Sequence, residues 1–323
     1  MTIGRARAAA RLFGAALLAA LLAVLLAACA VQTKALREAP PADLAAPVEL
    51  TDTPFFAQTA YQCGPAALAT VLGAAGLAAS PDELAGAVFL PARTGSLQIE
   101  MIAGARRQGA VATRLPRRLD ALLRELRAGH PVVVLQNLGL AWYPAWHYAV
   151  LVGYDIAAGE VLLRSGSTRR EVLPMRTFEH TWVRAGAWAF VALPPGELPD
   201  QADEAALVEA SVGFERVAVP AQAVVAYRAA LVRWPANLSL AMGLGNSLHA
   251  AGDRAGAADI FRQAAQAHRS APAWINLAAT LLELGQGEAA LQAARAATAL
   301  DDAAWQAPAQ AMLRRAQGAP ARP

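Results

Sequence analysis

The sequence predicts an α+β domain followed by an all-α domain, behind an N-terminal segment that does not belong to the mature fold. Three observations carry this. At 323 residues, 56% hydrophobic and 16% charged, the chain can bury two cores, which excludes disorder. From Val48 to about Pro194 the pattern mixes helices with short strands, helices first and antiparallel strands after them, and from about Asp203 to Gly318 it is helical and Ala-rich throughout. Finally, Arg5, Arg7 and Arg11 precede an apolar run from Leu12 to Ala28, the plan of an export signal. These three arginines account for the whole formal charge of +3, so the remaining chain is balanced and has no electrostatic footprint for nucleic acid.

Leu26, Ala27, Ala28 and Cys29 resemble the bacterial lipobox, which implies a signal peptide over 1–28 and a lipidated Cys29 as the first mature residue. Several acyl chains give stable anchoring where one alone is marginal. Ala30 follows, where an Asp is the usual signal for inner-membrane retention in lipoproteins; the resemblance therefore points to the outer membrane, facing the periplasm. Residues 29–47, rich in Ala and Pro, are expected to be a tether, 48–195 the α+β domain, 196–203 a linker and 204–318 the helical domain.

With Cys29 acylated, Cys63 is the only thiol left, in a compartment where disulfides form. Gly64, Pro65 and the helix formers Ala66 to Ala75 follow it, so Cys63 is expected at a helix N-terminus, where the macrodipole favours thiolate. Gly76 supplies the stop, and Ser80, Pro81 and Glu83 make a capping-box start for the next helix. A third helix is expected from Ser96 to near Gly109, and a fourth on the Leu119, Leu122, Leu123 and Leu126 spacing before Gly129. Val132 to Leu135 reads as a buried strand, His147 to Tyr154 as a second, and Val161 to Leu163 as its hairpin partner across a turn near Ala157 and Ala158. Of five histidines, His147 opens an apolar strand beside Trp142, Tyr143 and Trp146, a setting that suits a general base; the aromatics either line a groove or pack the loop onto the core.

Gln58, the run Tyr61 to Leu68 (YQCGPAAL), Gly129 to Val132, and His147 to Asp155 (HYAVLVGYD) together resemble the papain-like bacteriocin-processing peptidases, cysteine peptidase family thirty-nine, above all their stand-alone relatives. The resemblance implies a papain-like fold, with Cys63 as nucleophile, His147 as base and acid, and Gln58 with the Cys63 backbone N–H as donors to the oxyanion. It also implies an Asp on the strand after the histidine strand, yet Leu163 to Thr168 contains no carboxylate. Asp155 lies roughly 26 Å along the strand from His147, at about 3.3 Å per residue. Ser165 and Asn137 are the candidate orienters of the imidazole; a neutral orienter holds the tautomer but stabilises imidazolium less than a carboxylate does. No metal or other cofactor is implied, since His147 has no second ligand at metal spacing.

In the second domain, Leu244, Gly245, Leu248, Gly252, Ala257 and Phe261 recur 33 residues later as Leu277, Ala278, Leu281, Gly285, Ala290 and Ala294, and Tyr227 stands 34 residues before Phe261. This resembles the tetratricopeptide repeat and implies an all-α solenoid whose concave face takes a protein or peptide partner, or a spacer. Residues from Trp305 to Gln317 read as a solvating end helix. The expected activity is peptide-bond cleavage of a peptide or protein substrate; the alternatives are a scaffold of an envelope assembly, and acyl transfer or cleavage on cell-wall peptides.

Overall fold

A computed structural model describes residues 30–57, 62–77 and 79–318. The signal segment, Cys29, Gln58 and Tyr61 lie outside the described residues.

The first domain is an antiparallel sheet with helices on both faces. Its strands are β1 (Val48–Glu49), β2 (Val111–Arg114), β3 (Val132–Asn137), β4 (Trp146–Asp155), β5 (Glu160–Ser165), β6 (Thr168–Pro174) and β7 (Ala189–Leu193). Their order is β2-β7-β3-β4-β5-β6, and β1 pairs with β4 beyond the end of β3. On one face lie α2 (Cys63–Ala74), α3 (Pro81–Val88) and α4 (Gln98–Arg107), packed on Val133, Leu135, Tyr148, Val150 and Phe190. The other face holds α1 (Val31–Glu38), α5 (Leu119–Arg127) and α6 (Met175–Arg184), over Val132, Val134, Ala149, Leu151 and Leu163. Strand β3 is apolar at successive positions because both of its faces are covered.

Local signals explain the elements that position the site. Ser80 Oγ accepts the Glu83 N–H while the Glu83 carboxylate accepts the Ser80 N–H, so the capping box forms as expected. Gly76, Gly109 and Gly129 adopt positive φ at the helix ends where the sequence places stops. The third helix starts at Gln98 instead of Ser96.

The expected tether is a correction. Residues 31–47 are folded onto the domain, with Leu36 and Leu44 buried. The cause is a distant carboxylate: Glu179 of α6, itself buried, accepts the Gln32 and Thr33 N–H groups at 3.0 and 2.7 Å, at the N-terminus of α1. Negative charge there satisfies otherwise orphaned donors and complements the helix dipole. The Gln32 side chain in turn accepts the Leu119 N–H at the start of α5.

The linker is held too. The carboxylate of Glu125, fully buried on α5, accepts the Asp200 and Gln201 N–H groups at 3.2 and 2.7 Å and meets His130 Nδ1 at 2.8 Å. From the other side Arg233 donates to the carbonyls of Pro199 and Asp200.

The C-terminal region is helical: α7 (Glu204–Glu215), α8 (Pro220–Arg233), α9 (Leu238–Ala250), α10 (Arg254–His268), α11 (Ala271–Glu283), α12 (Gly287–Ala299) and α13 (Gln306–Gln317). The pair α9–α10 recurs as α11–α12 at an offset of 33 residues. Asn237, Asp253 and Ser270 each cap a helix by accepting an N–H three residues on. Two glycines of α9 seat aromatic rings of neighbouring helices. A Cβ on Gly243 would lie 2.2 Å from the Tyr227 ring, and one on Gly245 would lie 2.4 Å from Phe261. Helix α7 covers edge strand β2 through Ala210, Phe214 and Val111, with Arg114 paired to Glu209 at 2.7 Å. That removes an open strand edge.

Candidate active site

Cys63 is the first residue of α2, so its backbone sits at the positive end of a twelve-residue helix. Pro65 follows within the first turn, where a missing N–H costs no hydrogen bond. Gly64 is required by a close approach, since a Cβ there would fall 2.3 Å from Ser96 Oγ. The segment around Ser96 thereby forms one rim of a cavity of about 960 Å³ that Cys63, His147, Tyr148, Trp146 and Leu135 also line.

His147 is the second residue of β4, in register with Gln136 of β3. Its Nε2 meets Ser165 Oγ, at the end of β5, at 3.0 Å. When Nε2–H donates to that hydroxyl, the lone pair is on Nδ1, the nitrogen left to take a proton. Burial pushes the imidazole below its ordinary pKa, opposed by the carboxylate of Glu171 on β6, which favours the charged form. Burial thus favours the neutral ring, the state a general base needs. Cys63 and His147 share the cavity wall, and among the described residues no hydrogen bond joins thiol to imidazole. Such bonds commonly tighten only with substrate in place.

Ser165 therefore stands where the sequence expects an orienter. Asn137 does not, and this is a correction. Its Oδ1 accepts the N–H groups of Gly139 and Ala145, both at 3.0 Å, and its Nδ2 donates to the Leu140 carbonyl. The register pairs it with Trp146, one residue short of His147, and its amide is spent on folding the 138–145 loop. Nor do the aromatics of that loop pack onto the core: Trp142, Tyr143 and Trp146 are 81, 79 and 58% exposed.

Sequence reasoning missed Tyr148. It lies on the sheet face that α2 covers, donates its hydroxyl to the Ser96 carbonyl at 3.2 Å and packs edge-on against Trp188. Burial raises its pKa well above that of an ordinary phenol, and the nearby Cys63 thiolate raises it further. The signal was period-two alternation: Tyr148 shares its face with Val150 and Val152.

Residues 50–190 match the model of the Peptidase_C39 like family. This segment is similar to the C39-like peptidases. The C39-like domain thus extends from just after β1 into β7 and contains Cys63, His147 and Ser165. A solved structure described as a C39-like peptidase, from Bacillus anthracis, is similar at 20% identity with a TM-score of 0.39, over 46% of this chain and 98% of that one. No curated protein matches the chain.

Proposed function

We propose that the chain is a lipid-anchored cysteine peptidase of the bacterial envelope, acting through a Cys63 acyl-enzyme. The observation that carries this reading is the meeting, on one cavity, of a thiol at a helix N-terminus and an imidazole whose Nε2 is held by Ser165. In this mechanism His147 Nδ1 takes the thiol proton and the thiolate attacks a peptide carbonyl. The oxyanion is received by the Cys63 backbone N–H and, by the family resemblance, Gln58. His147 protonates the departing amine and then activates the water that hydrolyses the thioester. The cavity volume suits a peptide of a few residues.

Lipidation of Cys29 and placement on the outer membrane, facing the periplasm, complete the reading. The helical region is read as a tetratricopeptide-repeat solenoid binding a protein partner. The 33-residue offset of its helix pairs and the aromatic rings seated on Gly243 and Gly245 support this assignment, and a second cavity of about 450 Å³ among α8, α9 and α10 is the candidate partner site.

The test is the pH dependence of Cys63 alkylation by iodoacetamide in residues 30–323, where Cys63 is the sole thiol, beside His147→Ala. A reactive pKa well below the ordinary thiol value of about 8.5, rising in the variant, is the expected result. An ordinary value in both would sink the peptidase reading. It would favour a scaffold, for which the hydroxyl at position 165 in place of a carboxylate already speaks.

A further inference from the structure

The 138–145 loop is a small rigid hairpin. Leu138 N–H bonds the Ala145 carbonyl, and Leu140 and Tyr143 exchange backbone hydrogen bonds, so Ala141 and Trp142 form a two-residue tip. Asn137 ties the hairpin from inside, and Arg184 at the end of α6 donates to the Gly139 carbonyl. Gly139 has no alternative, since a Cβ would lie 2.4 Å from the Tyr143 carbonyl oxygen. The tip carries Trp142 and Tyr143 into solvent, with Leu138, Leu140 and Val183 also exposed. A contiguous apolar patch of this kind marks an interaction site.

Two observations choose the occupant. The catalytic cavity is walled by Pro144, Ala145 and Trp146 but not by Trp142 or Tyr143, so a peptide lying against Cys63 does not account for the tip. And the described chain begins on the helix that also holds the hairpin. The first turn of α1 is bound to Glu179, five residues before Arg184 on α6, or about 7.5 Å along that helix. The apolar segment Leu12–Ala28 and Cys29 immediately precede Ala30. With α1 folded down, no tether separates that segment from the domain.

We propose that the Trp142–Tyr143 tip inserts into the interfacial layer of the same bilayer that holds the chain's N-terminal end, a second anchor that lays the domain against the membrane. Indole and phenol rings are amphipathic and favour the headgroup level, and Arg184 at the base of the hairpin meets anionic headgroups. The inference rests on the proposed membrane attachment. In it, the cavity mouth, which Trp146 shares with the hairpin, stands close to the lipid surface.

The test uses the full chain reconstituted in vesicles of phosphatidylethanolamine and phosphatidylglycerol, with acyl chains brominated near the headgroup. Vesicle flotation reports the anchor, and quenching of tryptophan emission by bromine reports the tip. Expected are co-flotation of wild type and Trp142→Phe alike, and quenching that is largely lost in the variant, because Trp142 is the tryptophan the tip carries. Flotation with quenching that is absent or equal in the two proteins overturns the insertion and leaves the anchor standing. If, in addition, Trp142→Ser lowers kcat/KM on a soluble peptide, the tip is a substrate rim instead. A chain that neither floats nor is quenched overturns both readings.

Discussion

The C39-like domain treats carboxylates differently where the chain enters and leaves it and at its cleft. Where the chain enters and leaves, Glu179 and Glu125 are buried, and each accepts two backbone N–H groups from a segment at least 75 residues distant in sequence. At the catalytic cleft, where the family resemblance implies an Asp beside the imidazole, stands the Ser165 hydroxyl. Charge is used to fasten the ends, and a neutral group to hold the base. An imidazole with a hydroxyl partner keeps its tautomer but gains little stabilisation as imidazolium, whereas a buried carboxylate over two amides is costly to remove.

The largest effect expected from this contrast is at Glu125. Glu125→Ala strands the His130 ring and the two linker amides, and costs about 3 to 5 kcal/mol, from three hydrogen bonds to a buried carboxylate. Urea denaturation with hydrogen exchange at Asp200 and Gln201 measures it, and exchange unchanged at those amides would refute the clasp. Glu179→Ala is expected to cost about 2 to 3 kcal/mol, from two charge-assisted hydrogen bonds, and to free α1. Rapid exchange at Gln32 and Thr33, with Asp200 still protected, is its signature. At the cleft, Ser165→Asp moves the site toward the pattern of the entry and exit segments. A carboxylate at hydrogen-bond distance raises the His147 pKa, and kcat/KM rises with it where stabilising imidazolium limits the rate. NMR titration of the imidazole together with peptide turnover decides this, and a pKa that stays put would show that Ser165 does not orient the ring. The smallest effect is at Glu171. Its carboxylate partly offsets the lowering of the His147 pKa by burial, so Glu171→Gln removes a raising influence and the imidazole titrates lower still. An upward shift in the same titration would contradict the assignment.

Much of the site could be read along the chain because its signals are local. A helix start at Cys63, the stop at Gly76, the capping box at Ser80 and the double-sided strand β3 depend on residues within one or two turns of each other. Ser165 was within reach because hairpin register follows from the position of the turn, and the bond of Asp155 to the Ala158 N–H places that turn as expected. Asn137 and Ser165 were equally plausible from spacing. The structure separates them, because one side chain is consumed by a loop whose path no local pattern specifies.

By itself the sequence determined the helix carrying the nucleophile, the strands bringing the histidine to it, and the period of the helical region, since backbone propensity, capping and hydrophobic spacing act over short range. Only the tertiary structure decided that residues 31–47 are part of the domain, that the linker is clasped between Glu125 and Arg233, and that Trp142 and Tyr143 face outward. Each of these depends on a partner many residues away, or on the lack of one, and the energy that settles it is set by burial, which exists only once the chain has folded.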